Sequence, residues 1–110
     1  MGIYKLNIPV SGVFRTTVSI DKVKYVLAEA EEHLEKADLG GLINVEHDDF
    51  EIASSNEYQY NLYANVAGML PFSVEAKNFS EAVDKAEAYF DNVTLGVLED
   101  IEIYDDVVLA

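Results

Sequence analysis

Apolar and polar residues alternate along Tyr4, Leu6, Ile8 and Val10, with Lys5, Asn7 and Pro9 between them. That period of two predicts a half-buried strand. Ser11-Gly12 then predicts a turn, because glycine tolerates positive φ. Phe14, Thr16, Val18 and Ile20, separated by Arg15, Thr17 and Ser19, predict the returning strand of a hairpin. The period then changes. Asp21 is a good N-cap, since its carboxylate accepts from free amides of a first helical turn. Val23, Val26, Leu27, Ala30, Leu34 and Ala37 recur at helical spacing, with Glu29, Glu32, Glu35 and Lys36 facing away. Gly40-Gly41 predicts the helix end. Ile43 and Val45 predict a third strand, His47-Asp48-Asp49 a turn, and Phe50 with Ile52 a short fourth strand.

After Ala53-Ser54-Ser55-Asn56, the one linker-like segment, the plan runs again. Tyr58, Tyr60, Leu62, Ala64 and Val66 alternate, Ala67-Gly68 predicts a turn, and Leu70, Phe72, Val74 and Ala76 return. Pro71 points outward there, as on an edge strand. Asn78 and Glu81 form a capping-box-like pair. Phe79, Ala82, Val83, Ala86, Phe90 and Val93 repeat the helical stripe, and Ile101 with Ile103 and Val107 with Leu109 predict two further strands. Shifting the chain by 56 positions lays Tyr4–Phe50 over Tyr60–Asp106 without a gap. Tyr4 meets Tyr60, Leu6 Leu62, Val10 Val66, Gly12 Gly68, Leu39-Gly40 Leu95-Gly96 and Glu46 Glu102. Such self-similarity sets the architecture. The predicted fold class is α+β: two layers, tandem pseudo-symmetric ββαβ(β) repeats, and an antiparallel sheet carrying both helices on one face. The predicted domain is the whole chain, 1–110, built of units 1–53 and 57–110 that share one core because about 50 residues bury too little surface alone.

Charge narrows the function classes. The net charge is −14. No base lies between Lys36 and Lys77 or after Lys85, and these stretches fall at matching places in the two units. A field of this sign repels nucleic acid and acidic membranes and attracts basic surfaces; acidity that serves solubility alone is the plain alternative. There is no cysteine, which excludes disulfides and zinc–thiolate sites and fits a reducing cytoplasm. No apolar run reaches the ~20 residues a membrane span needs, and Tyr4–Val10 alternates like a strand rather than a leader.

Catalytic chemistry finds little support. His33 faces Tyr89 at the 56-residue offset, and His47 in Glu46-His47-Asp48-Asp49 faces Ile103, which points to a strand face rather than a metal ligand. Calcium-loop spacing is missing, and no glycine-rich phosphate loop follows a strand. No enzyme, metal or cofactor is expected. Tyr63, outward between Asn61 and Asn65, is a candidate protein contact, since tyrosine offers large area at little entropy cost.

Phe72-Ser73-Val74-Glu75-Ala76, followed by Phe79, Glu81-Ala82 and Ala86, resembles the hairpin–helix unit of small bacteriophage and mobile-element proteins of the DpnD/PcfM-like group. The first unit departs from it, with Ile20 for Ala76 and Tyr25-Val26 for Glu81-Ala82. In composition the chain also resembles phage-encoded inhibitors of host defence, the anti-CRISPR and DNA-mimic anti-restriction proteins. That resemblance implies a non-enzymatic inhibitor in the cytoplasm of a bacterial host cell. Its carboxylates would stand in for phosphates on a basic, nucleic-acid-binding host protein, with no direct nucleic-acid or membrane contact. The expected partner-binding residues are Glu46, Asp48, Asp49 and Glu51, with Tyr63, and Glu99, Asp100, Glu102, Asp105 and Asp106. The alternative is a small self-associating structural or regulatory module, a homodimer formed through the edge at Pro71 and the outward tyrosines.

Overall fold

The computed structural model describes residues 1–110 apart from the side chains of Lys22, Val23 and Lys24, so Val23 of the expected helix stripe lies outside the described residues. The chain forms β1 (Gly2–Ser19), a 3₁₀ segment (Ile20–Tyr25), α1 (Val26–Lys36), β2 (Ile43–His47) and β3 (Glu51–Ser55). It continues with β4 (Gln59–Ala76), α2 (Phe79–Phe90), β5 (Glu99–Ile103) and β6 (Val108–Leu109).

The two expected hairpins do not form. β1 runs straight through Ser11-Gly12, and β4 through Ala67-Gly68. Each strand pairs with the other along its whole length, from Gly2↔Ala76 to Ser19↔Gln59. Alternation passes unbroken through Gly12, from Val10 to Phe14, so it fits one long strand as well as two short ones. Neither glycine has the positive φ that a tight turn uses. They allow close approach instead: a Cβ on Gly12 would lie 3.2 Å from the Glu99 carbonyl oxygen, and one on Gly68 3.0 Å from that of Ile43.

Both prolines fit inside these strands for one reason. The Pro9 carbonyl accepts from the Tyr104 amide and the Lys5 carbonyl from the Ala110 amide, so odd positions of β1 turn their backbone groups away from β4. On β4, Asn65 and Glu75 likewise direct their carbonyls outward, to the Asp48 amide and the Lys85 ammonium. Pro9 and Pro71 therefore remove no hydrogen bond from the central ladder.

The sheet is antiparallel in the order β2-β4-β1-β5, with β3 also beside β4 and β6 beside β1. Its central pair, Ser11↔Ala67, joins residues 56 apart. On one side Val10, Ser11 and Val13 pair with Ile103, Glu102 and Glu99. On the other, Val66, Ala67 and Met69 pair with His47, Glu46 and Ile43, each member displaced by 56. Both ladders shift register at the glycine, and the bulged residues Asn44 and Asp100 have φ of 53° and 50°. Asn and Asp tolerate this left-handed region better than other side-chain-bearing residues. Past the turn the offset is no longer 56. Ile52 pairs with Leu62 while Leu109 pairs with Leu6, so 109 − 52 gives 57, one extra residue in the second half. The gapless match therefore breaks there, and Phe50 corresponds to Val107 rather than Asp106.

Even-numbered positions face the core. Leu6, Ile8, Val10, Phe14 and Val18 of β1 join Leu62, Ala64, Val66 and Leu70 of β4 in one buried cluster. Ala30 and Leu34 of α1 and Ala82 and Ala86 of α2 belong to the same cluster, so both helices cover that one face. Phe90 is half-buried against it. The result is a rod: the principal extents are 59 × 19 × 18 Å. Eighteen residues at about 3.3 Å each account for the length. The radius of gyration, 17.0 Å, exceeds the ~13 Å of a compact chain this long.

Local details differ from the sequence reading. Asp21 caps no α-helix: Ser19 donates to its carboxylate at the 3₁₀ segment, and α1 starts only at Val26. The change of pitch leaves Leu27 54% exposed. Asn78 caps α2 as expected, accepting from the Glu81 amide at 2.9 Å. The linker-like Ala53–Ser55 forms the end of β3, because its pairing with Asn61 and Tyr60 completes a sheet edge. Asn56 opens the turn of residues 56–58, its side-chain oxygen accepting from the Tyr58 and Gln59 amides.

Candidate functional site

With both helices on the even face, the odd face of the sheet is open. Its central row crosses four strands as Glu46–Ala67–Ser11–Glu102. Two small residues lie between two exposed glutamates. Three strand spacings put these glutamates roughly 14 Å apart. Neither makes an ion pair among the described residues.

The neighbouring row toward α1 is Glu99–Val13–Asn65–Asp48. The Asp48 carboxylate accepts from the Asn65 amide at 2.8 Å and its side-chain nitrogen at 2.9 Å. Those two hydrogen bonds, side chain first, lower the Asp48 pKa. Beyond it Tyr63 pairs with Arg15, whose guanidinium lies 5.8 Å from the tyrosine ring centre and bonds Glu99 at 2.7 Å. The Tyr63 hydroxyl donates to Glu51 at 2.5 Å, which raises its pKa by favouring the neutral phenol beside a carboxylate.

On the other side of the central row the same backbone positions carry different chemistry. The row is Ile43–Met69–Pro9–Tyr104, with Asn7, Pro71 and Val108 beyond. Ile43, Tyr104 and Val108 are 44%, 49% and 43% exposed. The open face is therefore acidic and hydrogen-bonded toward α1, and apolar toward α2.

The ten expected contact residues thus divide. Glu46, Glu51, Glu99 and Glu102 share the open face by register, and Asp48 and Tyr63 join them by hydrogen bonding. Asp100 occupies the bulge, and Asp49 is exposed in the β2–β3 turn. Asp105 and Asp106 lie elsewhere, on the wall of a groove beside α2. Arg15, Asn65 and the Ser11–Ala67 pair complete the face and were missed in the sequence, because only the β1–β4 register brings them together.

That groove has a volume of about 700 Å³. Phe79 and Val83 of α2 and Ile103, Val107 and Leu109 make its apolar surface, and Asp84, Glu87, Asp105 and Asp106 are its charges. The counterpart against α1 shares the equivalent walls Glu31 and His47 but measures about 380 Å³. There Phe50 meets Phe14 edge-on at 6.1 Å and His47 at 5.7 Å. The second half has Val107, Leu70 and Ile103 at these three places, and the smaller side chains leave more room.

Among the described residues no group of three His, Asp or Glu side chains converges as metal ligands would, and no helix is long and apolar enough to cross a membrane. Comparison with family models, with curated proteins and with solved structures finds no match.

Proposed function

We propose that this chain is a non-enzymatic acidic inhibitor that covers a basic nucleic-acid-binding surface of a host-defence protein with the open face of its sheet. The observation that carries this reading is the row Glu46–Ala67–Ser11–Glu102, with Glu51, Asp48 and Glu99 on the same face. Two lines of carboxylate roughly 14 Å apart are on the scale of the phosphate rails beside a major groove about 12 Å wide. Small central residues keep the face shallow, so the carboxylates reach a facing surface first. Arg15, the one base on this part of the face among the described residues, holds Glu99 in place. Such a field speeds encounter with a basic groove and loses strength as salt shortens its range.

The test is capture from a bacterial lysate at low and high salt, with competition by duplex DNA and mass-spectrometric identification. Nucleic-acid-binding proteins are expected on the native chain at low salt, displaced by DNA and by salt. They are expected to be lost from the Glu46→Lys, Glu102→Lys double variant. Capture indifferent to salt, or equal on the variant, overturns the reading.

One observation favours self-association as a second reading. Among the described residues no strand pairs with the outer side of β1 beyond Val13 or of β4 beyond Met69. Pro71 and the Lys85 bond to the Glu75 carbonyl blunt the β4 edge, whereas Arg15–Ser19 of β1 is bare and rich in β-branched residues. Light scattering would find a salt-insensitive dimer abolished by Thr17→Pro, a change at an outward-facing position. A strict monomer removes this reading.

A further inference from the structure

We infer that the groove between α2 and the β5–β6 segment is a second docking surface, built for a basic amphipathic helix. It is separate from the open face, and the inference stands without the function proposed above. Phe79, Val83 and Glu87 form one wall at four-residue spacing along α2. From Phe79 to Glu87 the wall rises about 12 Å at 1.5 Å per residue, or roughly two helical turns of an occupant. Phe79 and Leu109 stay 41% and 62% exposed, and such a cluster marks an interaction site more often than an isolated exposed residue does.

Charge selects the occupant. Asp84 and Glu87 lie on the helical wall and Asp105 and Asp106 on the other, and among the described residues no lysine or arginine lines the groove. A second copy of this chain carries the same −14 and is repelled. Acidic lipid headgroups are repelled likewise. A helix with leucine-like residues on one side and lysine or arginine flanking them satisfies both the apolar floor and the acidic rim, in the helix-in-groove mode. The contrast with the first half supports this: Phe50, Phe14 and His47 pack together in the matching place, and the space beside α1 is about half as large.

The probe is a fluorescent synthetic peptide of leucine and lysine patterned as an amphipathic helix, read by polarisation against the full chain. Binding is expected, with amide shift changes centred on Val83 and on Ile103 to Leu109. Asp105→Lys with Asp106→Lys should weaken it about tenfold, acting on both encounter and the bound state. Leu109→Glu, at an exposed position on the helix-covered face that leaves the core alone, should weaken it at least as much. Val107→Phe, which imports the aromatic of the other half, should close the groove to the peptide. Four results would each overturn the inference. The scrambled peptide of the same composition binds as tightly. Glu46→Lys with Glu102→Lys weakens binding as much as the groove variants do. The chain binds neutral phosphatidylcholine vesicles through these residues. The groove variants dissociate a dimer of the native chain.

Discussion

The two ends of this rod share a backbone plan and differ in what fills it. At the α1 end Phe50 packs against Phe14 and His47, and Asp48 closes the sheet by binding the Asn65 amide and side chain. At the α2 end Val107, Leu70 and Ile103 stand at the matching places of the same core, and Pro9 replaces Asn65 with a residue that has no amide hydrogen. No carboxylate is needed there, and Tyr104 stands where Asp48 stands. One end is closed by aromatic bulk and hydrogen bonds; the other keeps an apolar groove open. The difference teaches that register is a backbone property, whereas what a surface can bind is set by a few side chains at equivalent places.

The largest test of this comparison is truncation of the two plugs. Phe50→Ala should lose about 3–4 kcal/mol in denaturant unfolding. Val107→Ala, which removes two methyl groups, should lose about 1–2 kcal/mol. Equal losses would mean that the aromatic is not what closes the α1 end.

Next come the matched glycines. Gly12→Ala and Gly68→Ala each press a methyl group against a backbone carbonyl that cannot move without breaking the edge ladder. Both should destabilise, by about 1–3 kcal/mol each, and by similar amounts. A cost at one and none at the other would break the equivalence of the two bulges.

Smaller still is the acid response. The folded pKa of Asp48 is lowered by its bonds to Asn65. Its contribution is therefore complete above the unfolded carboxylate value and fades as pH falls through the lower folded value. Amide exchange at Asn65 should accelerate in that acid window, while the amides of Tyr104 and Leu6 stay protected. Asp48→Ala should abolish the pH dependence, Asn65→Ala should only reduce it because the backbone amide still donates to Asp48, and a matching acid response at Tyr104 would contradict the contrast.

The smallest effect belongs to Tyr63. Its phenol donates to Glu51, so its raised pKa should show as an ionisation above the ordinary phenol range in an alkaline spectrophotometric titration. Neutral Tyr63 is the stabilised form, so this contribution is present below the ordinary phenol value and lost as pH rises through the folded one. Glu51→Gln should bring the titration back toward its ordinary position.

Much of this was written locally in the chain. The period of two marked Tyr4–Val10, Phe14–Ile20, Tyr58–Val66 and Leu70–Ala76 as strand, the stripe running to Ala37 marked α1, and Asn78 marked the start of α2, because each depends on neighbours within a few residues. The 56-residue offset named Gly12 with Gly68 before any contact was known. The turn at Ser11-Gly12 was misjudged for a physical reason: an alternating pattern is identical for a hairpin and for one uninterrupted strand, and strands of 18 residues are far longer than the usual 3–10. Only the pairing of β1 with β4 decides between them, and that pairing joins residues as far apart as Gly2 and Ala76. The same long-range ladder put Glu46 and Glu102 in one row, drew Arg15 over Tyr63, and sent Asp105 and Asp106 to the α2 groove instead. Charge signs and strand faces are properties of the sequence itself. Which carboxylates stand together depends on the register between distant strands, and that register comes from burying the even face under both helices at once.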